Sequence, residues 1–209
     1  KPDLLVEFRQ AYVGPAIRKY GNMFRVADCP GDKNRNRRGI ARLRLTSGPG
    51  AVHGDMLEWH PDESAEVAAR AVLDSIFGVV QYSMMLRKLP ESHTAMIRHW
   101  AGFSTRHEDA LLHGTFRAYN PEHGYPVLEG ASANERILGA YLAGFCVDGG
   151  APDRETFVLN GTGENRLVLR VHAAPRRVQA FDTFGKEVPA PSLAVGVNEV
   201  PVPCSGYLR

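Results

Sequence analysis

Short apolar runs and helical patterns alternate along the first 114 residues of the chain. Three runs are expected to form strands, the first two dense enough in apolar residues for a sheet that is covered on both faces: LLVEF at 4–8, MFRVA at 23–27 and AVHGDML at 51–57. Helical patterns follow the second and third runs. This alternation predicts parallel strands joined by right-handed crossovers.

Apolar residues recur at helical spacing in the segment from Ser64, a candidate N-cap, and again after Pro90. The first set is Ala68, Val72, Ile76 and Val80, and the second is Met96, Ile97, Trp100 and Phe103. The second helix is expected to end near Gly114.

From Thr115 onward the pattern changes to short runs rich in β-branched and aromatic residues, separated by Gly, Pro and Asn turns. The runs are TFRAY, YPVLE, RILGAYL, TFVLN, RLVLRV, RRVQAFDTF, SLAVGV and EVPVP. This pattern is typical of an antiparallel β-sandwich. We therefore predict two domains, an α/β domain over 1–114 and a β-sandwich over 115–209.

Composition narrows the class of protein. The 209 residues are 44% hydrophobic and 23% charged, with a net charge of +2, which argues against disorder and predicts little about partners. No export signal or membrane anchor is recognised, so a cytoplasmic location is expected. Three widely spaced cysteines, Cys29, Cys146 and Cys204, argue against a disulfide framework or a zinc site. Cys29 follows an acid and could be a nucleophile, but simple packing is the favoured interpretation.

Polar residues follow each predicted strand, at the end where α/β sheets and barrels carry their chemistry. They are Arg9 and Gln10 after the first strand, Asp28 after the second, and Asp55, Trp59, His60 and Asp62 at and beyond the third. Carboxylates and Arg hydrogen-bond sugar hydroxyls, while an indole stacks on the apolar face of a sugar ring. The set therefore suits a carbohydrate.

Each of these residues also has a structural alternative. Asp28 and Asp32 could be a turn acid and a helix N-cap. Arg9 could pair with Glu7, which shares its face of the strand. Trp59 and His60 could pack the loop that follows the third strand.

Five arginines crowd the segment after Asp32, and they could grip phosphates. They are Arg35, Arg37, Arg38, Arg42 and Arg44. The favoured interpretation is a solvated outer face of a helix, with Ile40, Leu43 and Leu45 turned inward. Nucleic acid is not expected as a partner.

Three stretches together resemble a known family. LLVEFRQAYVGP, FRVADCPGDKNRNR and AVHGDMLEWHPDE resemble, in order and spacing, the closing strands of the catalytic barrel of family 36 glycoside hydrolases, the α-galactosidase type. The resemblance covers most of residues 3–88. The β-rich remainder resembles the sandwich that follows the barrel in those enzymes.

The resemblance implies a retaining hydrolase of terminal α-linked galactose that uses two Asp residues and neither metal nor cofactor. The acid/base role carries over to Asp28, with Asp32 as the fallback. The nucleophilic Asp belongs to an earlier strand, in a Lys-x-Asp pattern that has no counterpart placed to serve here. The chain is thus expected to hold about three of the eight units of a barrel, to need the upstream part of the same enzyme as partner, and to be a candidate for homo-oligomer formation.

One stretch departs from the family pattern. Many members carry a Cys- and Gly-rich turn after the first of these strands, whereas this chain has RQAYVGP. Arg9 and Gln10 would then project into the sugar subsite, so α-glucosyl and N-acetyl-α-galactosaminyl substrates stay open. Arg25 is expected to face away from Asp28 by strand alternation, and to be a substrate contact only if the strand bends at its end.

Retention implies that Asp28 is protonated when substrate arrives, with its pKa raised by a second carboxylate nearby. A hypothesis of a different class makes the chain a non-catalytic carbohydrate-binding or assembly piece. Its binding platform would be a set of exposed aromatic residues in the β part: Phe116, Tyr119, Tyr125 and Tyr141. Core packing is the favoured interpretation of that set.

Overall fold

The computed structural model describes residues 4–9, 14–149, 154–175 and 177–209. The first part of the described chain contains a three-stranded parallel sheet in the order β1-β2-β3. Its strands are β1 (Glu7–Phe8), β2 (Met23–Arg25) and β3 (Ala51–His53). The parallel pairing predicted from the alternating pattern is confirmed, although each strand is shorter than its apolar run. The described residues form an open sheet and close no barrel.

Three helices accompany this sheet in the described part of the chain, and short 3₁₀ turns lie before β2 at Pro15–Lys19 and before the third helix at Leu86–Lys88. The helices are α1 (Lys33–Thr46), α2 (Ala65–Ser75) and α3 (Glu91–Arg106). Ser64 caps α2 as predicted, because its hydroxyl accepts from the Val67 N–H at 3.3 Å. A π-helical turn at Asp109–His113 leads to Gly114, where the predicted helical region ends.

Val80 does not continue α2, contrary to the prediction. The helix ends at Ser75, and the chain then extends beside β3, with parallel bridges from His53 to Val79 and from Leu57 to Tyr82. Gly78 lies at the turn between the two, and its N–H donates to the Ser75 carbonyl at 2.9 Å. A fourth extended segment therefore lies beside the small sheet.

The two faces of α1 also differ in part from the prediction. Ile40 is buried and Leu43 packs against the core, but Leu45 is 53% exposed. Arg37 and Arg44, expected in solvent, point inward. The Arg37 guanidinium pairs with Asp74 of α2 at 2.5 Å, and Arg44 donates to the Leu111 carbonyl at 2.6 Å.

The second part of the described chain contains two sheets. A seven-stranded sheet has the order β11-β10-β13-β8-β6-β5-β4, and a three-stranded sheet has the order β12-β9-β7. The strands are β4 (Thr115–Tyr119), β5 (Val127–Ala131), β6 (Glu135–Ala140), β7 (Cys146–Asp148), β8 (Glu155–Asn160), β9 (Arg166–Val171), β10 (Ala180–Phe181), β11 (Glu187–Val188), β12 (Gly196–Pro201) and β13 (Tyr207–Leu208). A 3₁₀ turn at Pro121–His123 joins the first two strands.

Most of these pairs are antiparallel, as predicted, but two are not. β6 pairs with β8 in parallel, and so does β7 with β9. The reason is that the chain leaves the larger sheet after β6, adds β7 to the smaller sheet, and returns to place β8 beside β6 in the same direction. The two runs predicted at 192–197 and 199–203 contribute to a single strand, β12.

One buried cluster contains side chains from the two sheets, including Leu138 and Val158 of the larger and Leu169 and Val200 of the smaller. Another crosses residue 114, because Trp100 and Phe103 of α3 belong to the same cluster as Phe157 of β8. The division into two domains stays a prediction. The described part of the chain is mixed α/β, and none of its helices is both long enough and apolar enough to cross a membrane.

Candidate functional site

Arg25 is the centre of a cluster of charges at the ends of the three parallel strands. Its side chain is only 4% exposed. Its Nε lies 3.8 Å from Oε1 of Glu7 on β1, and its Nη2 donates to Oδ1 of Asp28 at 2.7 Å. Its Nη1 donates to Oδ1 of Asp55, which follows β3. The parallel sheet thus brings one carboxylate from each strand to the same guanidinium.

Asp55 is 1% exposed, and both its carboxylate and its backbone are hydrogen-bonded. Besides the bond from Arg25, it accepts from the backbone N–H of Cys29 through Oδ2. Its own N–H donates to Oδ1 of Asn36 at 2.9 Å, and Nδ2 of Asn36 donates back to the Asp55 carbonyl at 3.2 Å. Asp55 was predicted to contact substrate, but it lies here as a buried anchor that fixes Arg25 and the turn at Cys29.

Asp28 is the exposed carboxylate of the cluster, with a side chain that is 65% exposed. Arg9 approaches its other side, with Nη2 at 3.6 Å from Oδ2. The hydrogen bond from Arg25, and after it the charge of Arg9, hold the pKa of Asp28 below its ordinary value. The raised pKa expected for an acid/base is therefore not found in the described chain, where the groups closest to this carboxylate are cations.

Arg25 and Asp28 point to the same side, although strand alternation predicted opposite sides. β2 ends at Arg25, and Val26 turns into the buried core while its N–H still donates to the His53 carbonyl at 3.1 Å. The bend after the strand turns Asp28 back over the guanidinium. The chain thus bends at the end of β2, which was the condition given in the sequence analysis for Arg25 to be a substrate contact.

Asp32 has a structural role, the helix N-cap that was one of the alternatives predicted from the sequence. It is the N-cap of α1, and its Oδ1 accepts from the backbone N–H of Arg35 at 2.9 Å. Within the described chain no hydrogen bond or ion pair joins it to the Arg25 guanidinium.

Trp59 and His60 lie outside this cluster. The indole Nε1–H of Trp59 donates to Nδ1 of His93 on α3 at 3.1 Å, and the ring meets Tyr82 edge-on with centroids 6.3 Å apart. His60 is exposed and lies 3.4 Å from Asp62. In the described residues no bond joins Trp59 or His60 to Arg25 or Asp28, so the alternative of loop packing describes Trp59. Gln10, the remaining predicted contact, lies outside the described residues.

His53 and Gln81 belong to the cluster but were not predicted from the sequence. Glu7 also belongs to it, although the sequence indicated a different partner for this residue. Oε2 of Glu7, which was considered as a partner of Arg9, lies 3.1 Å from Nδ1 of His53, and the same nitrogen lies 2.9 Å from Nε2 of Gln81. His53 is the register partner of Arg25 on the neighbouring strand. The signal was present, because Glu7, Arg25 and His53 are the polar residues within three otherwise apolar strands.

The aromatic residues proposed as a binding platform contribute to the interior. Tyr141 is 7% exposed and donates its hydroxyl to the Leu73 carbonyl at 2.8 Å. Phe116 and Tyr125 pack against the cluster that crosses residue 114, and Tyr119 packs between the sheets and donates to Glu129 at 2.5 Å. Core packing of this set is confirmed.

Comparisons with known proteins add no family to this geometry. A scan of the chain against protein-family models found no matching family, and a search of curated proteins found no match.

Proposed function

We propose that this chain is the carboxyl-terminal part of a retaining glycoside hydrolase that releases terminal α-galactosyl residues, with Asp28 as the acid/base. The observation that carries the proposal is that Asp28 stands exposed at the end of a parallel strand while the buried Arg25 fixes one of its oxygens. α/β enzymes carry their catalytic groups at that edge of a parallel sheet, and Asp28 is an exposed, oriented carboxylate there. The resemblance of the three strand segments to family 36 enzymes supplies the reaction.

In this proposal the three strands are closing units of a (β/α)8 barrel, and the remaining units come from the upstream part of the same enzyme. The β-rich part is the sandwich that follows the barrel. The open edge of the small parallel sheet is compatible with that completion. The upstream part supplies the nucleophilic carboxylate.

The proposed chemistry requires Asp28 to act twice. In the first half-reaction its proton moves to the glycosidic oxygen while the nucleophile bonds to the anomeric carbon and the C–O bond to the leaving group breaks. In the second, Asp28 takes a proton from water as that water displaces the nucleophile. One carboxyl group therefore serves as acid and then as base.

The lowered pKa of Asp28 in this chain fits the second half-reaction directly, because the carboxylate is ready to accept a proton. The first half-reaction needs the acid form. A nucleophilic carboxylate about 5 to 5.5 Å away would disfavour a second negative charge and raise the pKa of Asp28. Completion of the barrel is thus expected to prepare the acid, and formation of the ester to restore the base.

The neighbouring residues have separate roles in this proposal. Arg25 and Asp55 are positioning residues, since both are buried and act on the substrate only through Asp28. Arg9 is 60% exposed beside Asp28 and is placed to donate to sugar hydroxyls, as Gln10 is also proposed to do. Because these two replace the usual turn of the family, α-glucosyl and N-acetyl-α-galactosaminyl substrates are tested beside galactosides.

The experiment compares Asp28→Asn with wild type in the enzyme that contains the upstream part. Hydrolysis of a natural α-galactoside should fall by about 10²- to 10⁴-fold, the usual contribution of acid–base catalysis. The first step on an aryl α-galactoside with a good leaving group should be largely spared, because that group departs without a proton. Asp32→Asn, which alters only the cap of α1, is the matched control. Equal losses on both substrates would reject the role of Asp28.

A non-catalytic carbohydrate-binding role for the β part is the weaker proposal. It required an exposed aromatic face, whereas Tyr141 is buried and the other three aromatic residues are half-buried against the two core clusters. The catalytic proposal is therefore preferred.

A further inference from the structure

Asn36 is a polar residue on the buried face of α1, with an exposed fraction of 2%. A polar side chain in such a place destabilises the fold unless its amide is hydrogen-bonded. Oδ1 of Asn36 accepts from the Asp55 N–H at 2.9 Å. Nδ2 donates to the Asp55 carbonyl at 3.2 Å and to Oγ of Ser75 at 3.1 Å. Because both ends of the amide are bonded, its orientation is fixed between α1, Asp55 and the end of α2.

The amide of Asn36 pairs with the backbone of Asp55 as a neighbouring strand would. β3 ends at His53, and two residues later both the N–H and the carbonyl of Asp55 are bonded to Asn36. Gly54 permits this close approach, since a Cβ added there would lie only 3.3 Å from Oδ1 of Asn36. The backbone of Asp55 is therefore held at one position relative to α1.

Asn36 and Asp55 belong to a closed ring of hydrogen bonds that contains the turn after Asp28. Oδ2 of Asp55 accepts from the N–H of Cys29, the residue that follows Asp28. The Cys29 carbonyl accepts from the Asp32 N–H at 2.9 Å, and the Asp32 carbonyl accepts from the Asn36 N–H at 3.0 Å. The Asn36 amide closes the ring by its bonds to Asp55. The turn after Asp28 therefore cannot shift unless one of these bonds breaks.

A second path connects Asp55 to the carboxylate of Asp28. Nη1 of Arg25 donates to Oδ1 of Asp55, and Nη2 of the same guanidinium donates to Oδ1 of Asp28 at 2.7 Å. The backbone of Cys29 thus holds the main chain next to Asp28, while Arg25 holds its side chain. Both paths begin at the Asp55 carboxylate, and Asn36 fixes the backbone that carries it.

We infer that Asn36 is a positioning residue for the proposed acid/base, because it fixes Asp55 and through it both the turn and the guanidinium that orient Asp28. The catalytic part of this inference rests on the proposed function. Its geometric part concerns this chain alone. A displacement of about 1 Å in a reacting group can cost about 10²-fold in rate, so a residue that acts only through Asp28 should still affect turnover.

The first test follows the titration of Asp28 in the 209-residue chain by side-chain carboxyl ¹³C shifts, in wild type and in Asn36→Ser. The serine hydroxyl is too short to pair with both backbone groups of Asp55. Arg25 should then hold Asp28 less firmly, and the pKa of Asp28 should rise toward its ordinary value, because the bond from Arg25 is the first cause of its lowering.

Asn160→Ser is the matched control for this test. Asn160 is also fully buried, and it lies in the β part of the chain. Its Nδ2 donates to the backbone carbonyls of Glu164, Val202 and Pro203. Both substitutions should lower stability, so a general loosening of the fold would affect both variants. The titration of Asp28 should move in Asn36→Ser and stay unchanged in Asn160→Ser.

The second test measures turnover of a natural α-galactoside by the enzyme that contains the upstream part. Asn36→Ser should lower kcat by about 10- to 100-fold with a smaller change in KM, because Asp28 is displaced in both half-reactions. Asn160→Ser should keep the kcat of wild type. If far-UV circular dichroism shows that Asn36→Ser is unfolded, Ser75→Ala replaces it, since this change removes one bond of the amide and keeps the two to Asp55. A smaller change of the Asp28 titration in the same direction is expected there.

An Asp28 titration that is the same in wild type and in the folded variant, or that moves equally in Asn160→Ser, would overturn the inference. The proposed function fails in a different way. An Asp28 titration that responds to Asn36→Ser, in a completed enzyme without glycosidase activity, would reject the proposed reaction and retain the positioning role of Asn36. Activity that Asp28→Asn abolishes and Asn36→Ser leaves intact would do the reverse.

Discussion

Arg25 donates to Asp28 across a bend of the chain, with 2.7 Å between Nη2 and Oδ1, although one side chain is 4% exposed and the other 65%. The buried partner is fixed by Asp55 and Glu7. The exposed partner is therefore oriented without being removed from solvent. That combination is what an acid/base requires, since it must hold its geometry and still meet a substrate.

The pKa of Asp28 should depend measurably on the charge of Arg9. In Arg9→Gln the pKa of Asp28 should rise toward its ordinary value, because Arg9 lowers it most after Arg25, ahead of Arg35. Side-chain carboxyl ¹³C shifts followed from pH 7 downward measure this. Lys19→Gln, on the 3₁₀ turn, serves as control. An Asp28 titration that is the same in wild type and Arg9→Gln would contradict the assignment of the shift.

The lowered pKa of Asp28 also predicts that its contribution to the free energy of unfolding depends on pH. Since folding lowers the pKa of Asp28, its contribution is present above its unfolded pKa and is lost as the pH falls through the folded value. The difference in unfolding free energy between wild type and Asp28→Asn should therefore shrink in acid. Urea unfolding at a series of pH values measures it, and a difference that grows in acid would contradict the lowered pKa.

Removing Arg25 should be costly, since it would leave Asp55 buried without its cation. Arg25→Met should lower the free energy of unfolding by about 3 kcal/mol, the usual effect of breaking a buried ion pair from one side. Urea unfolding at neutral pH measures the change. Arg98→Gln, an exposed substitution on α3, should change it by less than about 0.5 kcal/mol. A loss for Arg25→Met no larger than that of Arg98→Gln would show that the pair is not a buried anchor.

Tyr141 joins the helical part to the β part through the bond from its hydroxyl to the Leu73 carbonyl at 2.8 Å. Tyr141→Phe leaves that carbonyl with the longer bond from the Ile76 N–H at 3.5 Å, and the loss of the tyrosine hydrogen bond should lower the unfolding free energy by about 1 kcal/mol. Tyr20→Phe, at a side chain that is 64% exposed, should have no measurable effect. Equal stability of the two variants in thermal or urea unfolding would contradict the contact.

The thiol of Cys29 should be inert in the folded chain. Burial, and after it the charge of Asp55, raises the pKa of this thiol to about 11, so almost no thiolate exists near pH 8. Mass spectrometry after brief treatment with iodoacetamide should find Cys146 and Cys204 modified well before Cys29, and all three modified in denaturant. Fast modification of Cys29 in the native chain would reopen its role as a nucleophile.

What the sequence predicted well depended on local patterns. The apolar runs located the three parallel strands, and Ser64 identified the start of α2, because hydrophobic spacing and N-caps act within a few residues. The side on which Arg25 lies was missed, because it depends on a bend held by Asp55 from the next strand. The parallel pairing of β6 with β8 was missed for a similar reason, since it results from the passage of β7 into the other sheet.

The candidate site was predictable in part. The polar residues at the strand ends indicated its place, and Asp28 lies there as expected. Trp59 lies outside the site because its indole donates to His93, 34 residues further along the chain. No local sequence pattern predicts such a contact. Glu7 and His53 are polar residues in otherwise apolar strands, and such isolated polar residues indicate side chains that pair with one another across a sheet.

The central claim is that Asp28 is the acid/base, and rescue by a small anion tests it most directly. The measurement is turnover of an aryl α-galactoside by Asp28→Asn in the completed enzyme, with and without sodium azide. Azide attacks the glycosyl-enzyme without needing a base, so it should restore turnover and give a galactosyl azide with retained configuration. Wild type and Asp32→Asn should gain nothing from azide. An Asp28→Asn enzyme that keeps full activity on natural substrates, or one that azide does not rescue, would contradict the account.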